Sequence, residues 1–282
     1  MKTGIQTAHY EIHGTDIVDY KKMKEHGFDC ADFSGLTDIR KDLFHMDVDS
    51  FTQKMLAEKG RADEAGIEIF QVHAPWPVDD TSEEKRNANL AYMKRAVLGT
   101  SLLGCSYIVV HPVMPFGWGA EPDPAFARRV NKEYFAELCD YARPLGVTIC
   151  MENMPFVDCQ LSFVTNLVPF VEEMNLDNLK ICLDTGHAHT CIENAGDMAR
   201  LCGSNLKTLH LHDNAGRRGG HGDEHACPYT CTIDWVNFKN ALKEIGYQGC
   251  LSLECHSVNE DCPADIREDM LKLLCRIARS LG

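Results

Sequence analysis

The amino-acid sequence predicts an α/β protein that forms a closed (β/α)8 barrel, with a single domain over residues 1–282. Apolar, β-branched runs alternate with longer amphipathic stretches along the whole chain. The length is also close to the ~250 residues that such a barrel commonly takes. An open doubly wound sheet is less well supported, because the glycine-rich phosphate motifs GxGxxG and GxxxxGK[ST] are both absent.

The predicted elements follow one another as strand and helix. Eight strands are expected at residues 4–8, 28–33, 67–73, 106–111, 147–153, 179–184, 206–212 and 250–254. The clearer helical patterns cover residues 49–65, 82–103, 124–143, 162–174, 234–245 and 263–280. Gly66, Gly104, Gly146 and Gly246 fall just past helix ends, where a left-handed cap residue is expected. Each of these glycines leads into the next strand.

The charge balance limits the partners of this chain. Lysine and arginine number 28 against 42 aspartates and glutamates, and the formal net charge is −14. Such a surface repels nucleic acid and anionic membranes at long range, and no run approaches the ~20 apolar residues of a membrane span.

The fourteen cysteines form no CxxC pair, and several lie inside apolar runs. They are typical of small core residues in a reducing compartment, so we expect a cytoplasmic protein without a signal peptide.

Two long loops are expected over one end of the barrel. Residues 111–124 follow the fourth strand, and the glycine-rich residues 215–224 follow the seventh. Binding residues concentrate in loops of this kind. Trp76, Phe116 and Trp118 are candidates for packing against the apolar face of a ligand, with packing within the loops as the alternative.

Four apolar runs end in residues that commonly bind metals, namely Glu152, Asp184, His210 and Glu254. In a parallel barrel the carboxyl ends of all strands share one face, so these side chains should converge. A single carboxylate there can simply cap the following helix, but three converging carboxylates repel one another unless a cation neutralises them. We therefore predict one divalent cation. An oxygen-rich ligand set favours Mn²⁺, with Mg²⁺, Co²⁺ or Zn²⁺ as alternatives.

More imidazoles and one carboxylate are expected at the same face of the barrel. They are His73, His111, His187, Asp223 and His225. If these residues also bind metal, the site becomes rich in imidazole, and two or three Zn²⁺ ions become credible. The sequence leaves the number of ions open.

Seven short motifs resemble the xylose-isomerase-like TIM-barrel superfamily, and within it the sugar phosphate isomerase/epimerase group. They are HAP (73–75), HP (111–112), EN (152–153), LDTGH (183–187), HLHDN (210–214) with Arg217 nearby, DEH (223–225) with TIDW (232–235), and LE (253–254). Relatives usually follow the DEH segment with a Pro-x-Gly-x-Gly turn. Here residues 226–235 lack both glycines, so the loop around His225 is expected to differ from that of the family.

The resemblance implies a metal-dependent isomerase or epimerase that moves a proton beside the carbonyl of a sugar through a metal-stabilised enediolate. It implies that Glu152 and Glu254 are at once metal ligands and the acid/base pair, and that Asp184 and His210 are ligands only. The implied substrate-binding residues are His73, His111, His187 and Arg217, and the implied additional metal ligands are Asp223 and His225. The expected partner is a small carbohydrate, and a homo-oligomer is compatible with this scaffold.

Three alternatives stay open. Dehydratases and lyases of keto-sugars use the same enediolate chemistry on this scaffold. The superfamily also contains endonuclease IV, which cleaves abasic DNA with three zinc ions. Its nine ligands would correspond to His73, His111, Glu152, Asp184, His187, His210, Asp223, His225 and Glu254. The negative net charge and the few basic residues of the long loops disfavour DNA. A non-catalytic sugar-binding protein is disfavoured because both acid/base carboxylates are present.

Overall fold

The computed structural model describes residues 1–13, 15–216, 222–255 and 262–282. Eight strands alternate with helices over these residues. The strands are β1 (Lys2–Gln6), β2 (Cys30–Phe33), β3 (Glu68–His73), β4 (Tyr107–Val110), β5 (Thr148–Glu152), β6 (Leu179–Asp184), β7 (Leu206–His210) and β8 (Cys250–Leu253). The helices are α1 (Tyr20–Glu25), α2 (Val48–Ala65), α3 (Glu83–Leu102), α4 (Pro124–Ala142), α5 (Val164–Met174), α6 (Thr185–Thr190), α7 (Ala195–Cys202), α8 (Trp235–Glu244) and α9 (Ala264–Ser280).

The strands form one parallel sheet in the order β7-β6-β5-β4-β3-β2-β1-β8. The sheet closes through a parallel bridge between Leu211 and Leu253, just beyond β7 and at the end of β8. The Leu211 amide donates to the Ser252 carbonyl at 2.8 Å, and the Glu254 amide donates to the Leu211 carbonyl at 3.1 Å. The predicted α/β fold with a closed TIM barrel is therefore confirmed.

The predicted strands and long helices are present, with ends shifted by one or a few residues. Helix α2 was predictable because both of its ends carry capping residues. Asp47 caps its first turn by accepting from the Ser50 amide, and Gly66 ends it with a left-handed φ of 70°. The helices α1, α6 and α7 were not predicted, because they have only six, six and eight residues. Apolar periodicity is not readable over so few residues.

The barrel interior is filled by small side chains directly below the polar end. Cys150, Cys182 and Val109 are fully buried and pack together inside the barrel. Because side chains two residues apart on a strand point to the same side, Cys150 lies in line with Glu152, and Cys182 lies in line with Asp184. The cysteines predicted to be core residues are buried, and the structure records them as free thiols.

Across the described parts of the chain, no helix combines the length and the apolar character that crossing a bilayer requires.

Candidate metal centre

The four predicted ligands lie together at the carboxyl end of the barrel. Glu152 ends β5, Asp184 ends β6, His210 ends β7, and Glu254 directly follows β8. Each residue offers one ligand atom, and these atoms lie within 4.8 Å of one another. All four residues are buried. We call these four residues the carboxylate group.

His210 is the centre of the carboxylate group. Its Nδ1 lies 2.9 Å from Oε1 of Glu152 and 2.9 Å from Oε2 of Glu254. On its other side, Nε2 lies 3.0 Å from Oδ2 of Asp32, a fully buried residue of β2. Gln71 donates to the same oxygen at 2.9 Å. The imidazole is thus oriented by groups that are not among the four predicted ligands.

The carboxylates are also held by neighbours. Gln6, at the end of β1, donates from Nε2 to Oε1 of Glu254 at 2.7 Å. Asp184 accepts the His187 amide at 2.7 Å and so caps α6. The helix-capping role considered for this aspartate therefore exists alongside its place in the carboxylate group, because a carboxylate has two oxygens to offer.

A second group of possible ligands lies beside the first. It contains His187, His212, Asp223 and His225, whose ligand atoms also lie within 4.8 Å of one another. Oδ2 of Asp223 lies 3.3 Å from Nε2 of His187 and 3.2 Å from Nε2 of His225. Nε2 of His212 lies 3.0 Å from Oδ1 of Asp184, which connects the two groups. We call these four residues the imidazole group.

His73 and His111 complete the arrangement on the side of β3 and β4. Their Nε2 atoms lie 3.6 and 3.0 Å from Oε2 of Glu152, and the three residues form a further set of close ligand atoms. The ring of His73 stacks on that of His210, with centroids 5.4 Å apart. Glu152 therefore belongs both to this histidine pair and to the carboxylate group.

The loop that carries His225 reaches the site without the glycines of the family turn. His225 takes a left-handed φ of 43°, and the backbones of Asp213 and Ala226 exchange two hydrogen bonds of 2.7 and 3.0 Å. The Asp213 carboxylate also accepts four hydrogen bonds, from the Asn214, Cys231 and Ile233 amides and from the Trp235 indole. These bonds hold the loop so that His225 joins the imidazole group.

The carboxylates and imidazoles of the site shift one another's pKa values toward the charged forms. Burial disfavours ionised Glu152, yet the neighbouring His210 and His111 lower its pKa well below its ordinary value. The pKa of Glu254 is lowered well below its ordinary value in the same way, chiefly by His210 against the effect of burial. In return, Glu152 and Glu254 hold the pKa of His210 well above its ordinary value despite burial.

In the imidazole group the same balance applies. Burial lowers the pKa of His225, but Asp223 and Glu254 outweigh it and raise the value to about 9. Asp184 and Asp223 similarly raise the pKa of His187 well above its ordinary value against the effect of burial. The cluster thus balances its carboxylates with protons, which a cation can replace.

The donor set fits a divalent cation. Oε2 of Glu152 and Oε2 of Glu254 are buried and lie 3.0 and 2.9 Å from imidazole nitrogens of His111 and His210, but these contacts lack hydrogen-bond geometry. Oδ1 of Asp223 is also buried and makes no hydrogen bond to the described residues. A buried carboxylate oxygen whose hydrogen bonding is poorly met is costly unless a cation or proton satisfies it. The oxygen-rich carboxylate group suits Mn²⁺ or Mg²⁺, and the imidazole group suits Zn²⁺.

An aromatic wall borders the site. The Trp76 ring lies 4.4 Å from that of His111 and 5.6 Å from that of Trp118, and Trp118 stacks on Phe156 at 6.0 Å. Phe116 is directed elsewhere and packs against Phe126. Of the three predicted aromatic contacts, Trp76 and Trp118 are therefore next to the site.

The structure brings together the predicted site residues except Arg217, which lies outside the described residues. Sequence reasoning did not assign Asp32, Gln6, Gln71 or His212 to the site. A usable signal existed for Asp32 and Gln71, since each is a polar residue inside an otherwise apolar strand. His212 was recognised at a strand end, but only the three-dimensional contacts place it in the imidazole group.

Comparison with known proteins gives matches over most of the chain. The chain is 29% identical to an uncharacterized protein of Methanocaldococcus jannaschii over 201 residues, which are 69% of this chain and 66% of that protein. It is 26% identical to a ketose 3-epimerase of Arthrobacter globiformis over 268 residues, covering 92% and 83% of the two chains. A probable endonuclease 4 of Oceanobacillus iheyensis is 26% identical over 201 residues, covering 66% and 63%. The chain thus spans slightly less than two thirds of the length of the first and third of these relatives.

The fold has close counterparts among solved structures. The crystal structure of D-psicose 3-epimerase with D-tagatose from Clostridium cellulolyticum H10 superposes with a TM-score of 0.78 at 19% identity, covering 100% of this chain and 99% of that one. The model of the family described as "Xylose isomerase-like TIM barrel" matches residues 20–276. This match covers most of the chain and agrees with the barrel and with the order of the motifs. The chain belongs to the xylose isomerase-like TIM-barrel family.

Proposed function

We propose that this protein is a divalent-metal-dependent epimerase or isomerase of a sugar or sugar derivative. The observation that carries the proposal is the convergence of Glu152 and Glu254 on His210 Nδ1, each with one oxygen 2.9 Å from it. The buried Oε2 atoms of both carboxylates approach imidazole nitrogens without forming a hydrogen bond of suitable geometry. Two ionised carboxylates that converge on one small site are suited to removing and returning a proton.

The relatives support the same reaction class. The ketose 3-epimerase of A. globiformis aligns with nearly the whole of this chain. An epimerisation at carbon beside a carbonyl needs a base on one face of the substrate and an acid on the other. The convergence of Glu152 and Glu254 from β5 and β8 supplies two such groups.

The residues that would hold the cation are Glu152, Asp184, His210 and Glu254, with Mn²⁺ as the proposed ion. A bound divalent cation supplies positive charge that stabilises negative charge developing on the substrate oxygens. In this chain, Asp32 and Gln71 orient His210, while Gln6 fixes one oxygen of Glu254.

The acid/base roles follow from the contacts of the two glutamates. Their lowered pKa values keep both in the carboxylate form. One can therefore accept the proton from carbon, and the other returns a proton to the opposite face after it has taken one from water or from a substrate hydroxyl. His111 lies 3.0 Å from Glu152 Oε2, which allows it to orient the carboxylate or a substrate hydroxyl. His73 and His187, which also border Glu152, are proposed to bind further hydroxyls.

Hydrogen exchange tests this proposal directly. The full chain is loaded with Mn²⁺, incubated with D-fructose, D-psicose, D-tagatose and inosose in D₂O, and followed by NMR and by product chromatography. We expect deuterium to enter beside the carbonyl of at least one substrate. Glu152→Gln and Glu254→Gln should each abolish exchange while retaining part of the Mn²⁺ affinity. Full exchange in either variant would contradict the two-carboxylate reaction, and loss of a substituent would indicate a lyase or dehydratase instead.

One observation favours a second candidate, the cleavage of phosphodiester bonds in abasic DNA. The carboxylate group, the imidazole group and the His73–His111–Glu152 set together contain the residues for more than one ion. The net charge of −14 opposes this function, because DNA binding needs several phosphate contacts by basic residues. Metal analysis of protein purified without chelator, followed by an assay with an abasic oligonucleotide, separates the two. Two or three zinc ions per chain together with strand cleavage would favour the nuclease.

A further inference from the structure

A cavity of about 440 Å³ lies against the aromatic wall that borders the metal centre. Its lining includes Trp76, Trp118 and Met114 together with the backbone of the segment that follows β3. This volume falls within the range of ligand pockets in proteins. The cavity adjoins the site because Trp76 lines it and also contacts the ring of His111.

We propose that this cavity binds the second ring of a glycoside whose reacting ring carries a carbonyl and occupies the metal centre. The inference rests on the proposed function and extends its substrates beyond monosaccharides. The ring would be a flat-faced sugar or aryl group, joined through a glycosidic oxygen. Both kinds of ring present an apolar face that can stack on an indole.

The exposure of Trp118 supports this occupant. Its side chain is 54% exposed although it is among the largest apolar residues of the chain. Phe156 stacks on Trp118 at an interplanar angle of 12°, and this contact supports the indole from one direction. An exposed indole that is braced by a second aromatic ring and lines a cavity provides a rigid stacking surface at low entropic cost.

The charges around the cavity indicate a neutral ring. The nine described residues that line it include two carboxylates, Asp79 and Asp80, and no basic side chain. Asp80 is buried and accepts from Asn89 at 2.9 Å, and Asp79 accepts from the exposed Lys85. Lys85 thus pairs with Asp79, and Arg86 donates to the Asp80 carbonyl at 2.9 Å. The charges of the lining are therefore balanced, which favours a neutral ring with hydroxyl groups over a charged substituent.

The position of Trp76 connects the two subsites. It is half-buried, contacts His111 with one part of its ring, and faces the cavity with another. His111 Nε2 in turn lies 3.0 Å from Glu152 Oε2. Trp76 is therefore the residue that joins the cavity to the side of the site formed by His111 and Glu152.

Calorimetry on the Mn²⁺-loaded full chain tests the proposal with phenyl β-D-glucopyranoside, cellobiose and methyl β-D-glucopyranoside as probes. We expect the phenyl glucoside or cellobiose to bind about tenfold more tightly than the methyl glucoside, because only they supply a second ring. Preference for the phenyl compound would identify an aryl ring, and preference for cellobiose would identify a sugar ring. Trp118→Ala should remove the preference, and Trp118→Phe should restore much of it.

Phe116→Ala is the matched control, since Phe116 is an exposed aromatic residue of the same loop that does not line the cavity. It should keep the preference. Tryptophan fluorescence adds a location readout, because Trp76 and Trp118 line the cavity whereas the third tryptophan, Trp235, is buried beside Asp213. Equal affinities for the three probes, or a preference that survives in Trp118→Ala, would overturn the proposal.

The outcome is separable from that of the proposed function. Hydrogen exchange on monosaccharides without any Trp118-dependent binding would sustain the epimerase and reject the second-ring site. A Trp118-dependent preference without hydrogen exchange on any of the ketoses or on inosose would support the ring site and contradict the proposed reaction.

Discussion

Oδ2 of Asp32 lies 3.0 Å from Nε2 of His210, and neither side chain is exposed to solvent. His210 uses its other nitrogen to face Glu152 and Glu254. A carboxylate on the far nitrogen fixes both the ring and its tautomer, so that Nδ1 is available to a cation. Asp32 is therefore a positioning residue for the metal centre, contributed by a strand in which sequence reasoning identified no site residue.

Replacing this carboxylate should weaken metal binding without removing a ligand. We expect Asp32→Asn to lower the Mn²⁺ affinity by roughly 10- to 100-fold, the range found for outer-shell partners of metal ligands. Titration calorimetry of the purified variant measures the effect. Asp38→Asn is the control, since Asp38 forms a surface ion pair with Arg40. An unchanged affinity in Asp32→Asn would show that His210 is oriented by packing alone.

Metal binding should depend on pH with a definite sign. Asp223 and Glu254 raise the pKa of His225 to about 9, and Glu152 and Glu254 raise that of His210. A ligand imidazole must be neutral, so the metal-free site must give up protons when it binds a cation. Affinity should rise with pH from about 6.5 to about 9, by up to about tenfold per unit for each proton released.

Titrations at pH 7.5 in two buffers of different ionisation enthalpy provide the measurement. The apparent binding enthalpies in the two buffers should differ by the number of protons released multiplied by the difference in ionisation enthalpy between the buffers. The same linkage implies that the metal-free protein loses stabilisation from protonated His225 as pH rises through about 9, because its pKa is higher in the folded than in the unfolded state. Heats that do not depend on the buffer would contradict this account.

The loop that presents His225 should depend on Asp213. Its carboxylate accepts four hydrogen bonds, one from the adjacent Asn214 amide and three from Cys231, Ile233 and Trp235, and the residue is fully buried. Asp213→Ala leaves those donors without their acceptor, which should cost about 3 kcal/mol and lower Tm by roughly 6–12 °C. Calorimetric unfolding checks this value. Asp234→Ala, which removes only the cap of α8, should cost about 1 kcal/mol; equal losses in the two variants would refute the special role of Asp213.

Gly186 should be irreplaceable for the imidazole group. A Cβ at this position of α6 would lie 1.9 Å from Cε1 of His212. Gly186→Ala must therefore displace the His212 ring, and we expect lower Zn²⁺ stoichiometry or affinity together with a lower Tm. Gly60→Ala is the matched control, because a Cβ there meets nothing within 4 Å and alanine is the better helix former. Normal Zn²⁺ binding by Gly186→Ala would show that His212 is dispensable.

The sequence was sufficient for the barrel, because the strands were apolar runs and four of them followed a glycine just past a helical pattern, as at Gly66 and Gly146. It was also sufficient for side chains at strand ends, because all carboxyl ends of a parallel barrel share one face. It was not sufficient for Asp32 or Gln6. These residues act through contacts with His210 and Glu254 that are more than 170 residues away along the chain, and periodicity carries no information on such pairs.

The single bridge between Leu211 and Leu253 has a mechanical consequence. Among the described residues, every other neighbouring pair of strands is joined by at least two residue pairs. The junction between β7 and β8 is therefore the weakest seam of the barrel. His210 and Glu254 stand on opposite sides of it. An ion bound by both residues would hold the two strands together at this point. Its release would allow β7 and β8 to separate locally more often. Amide hydrogen exchange at Leu211 and Glu254 should then slow when Mn²⁺ is added. Metal binding would in that case stabilise the closed form of the barrel as well as serve its chemistry.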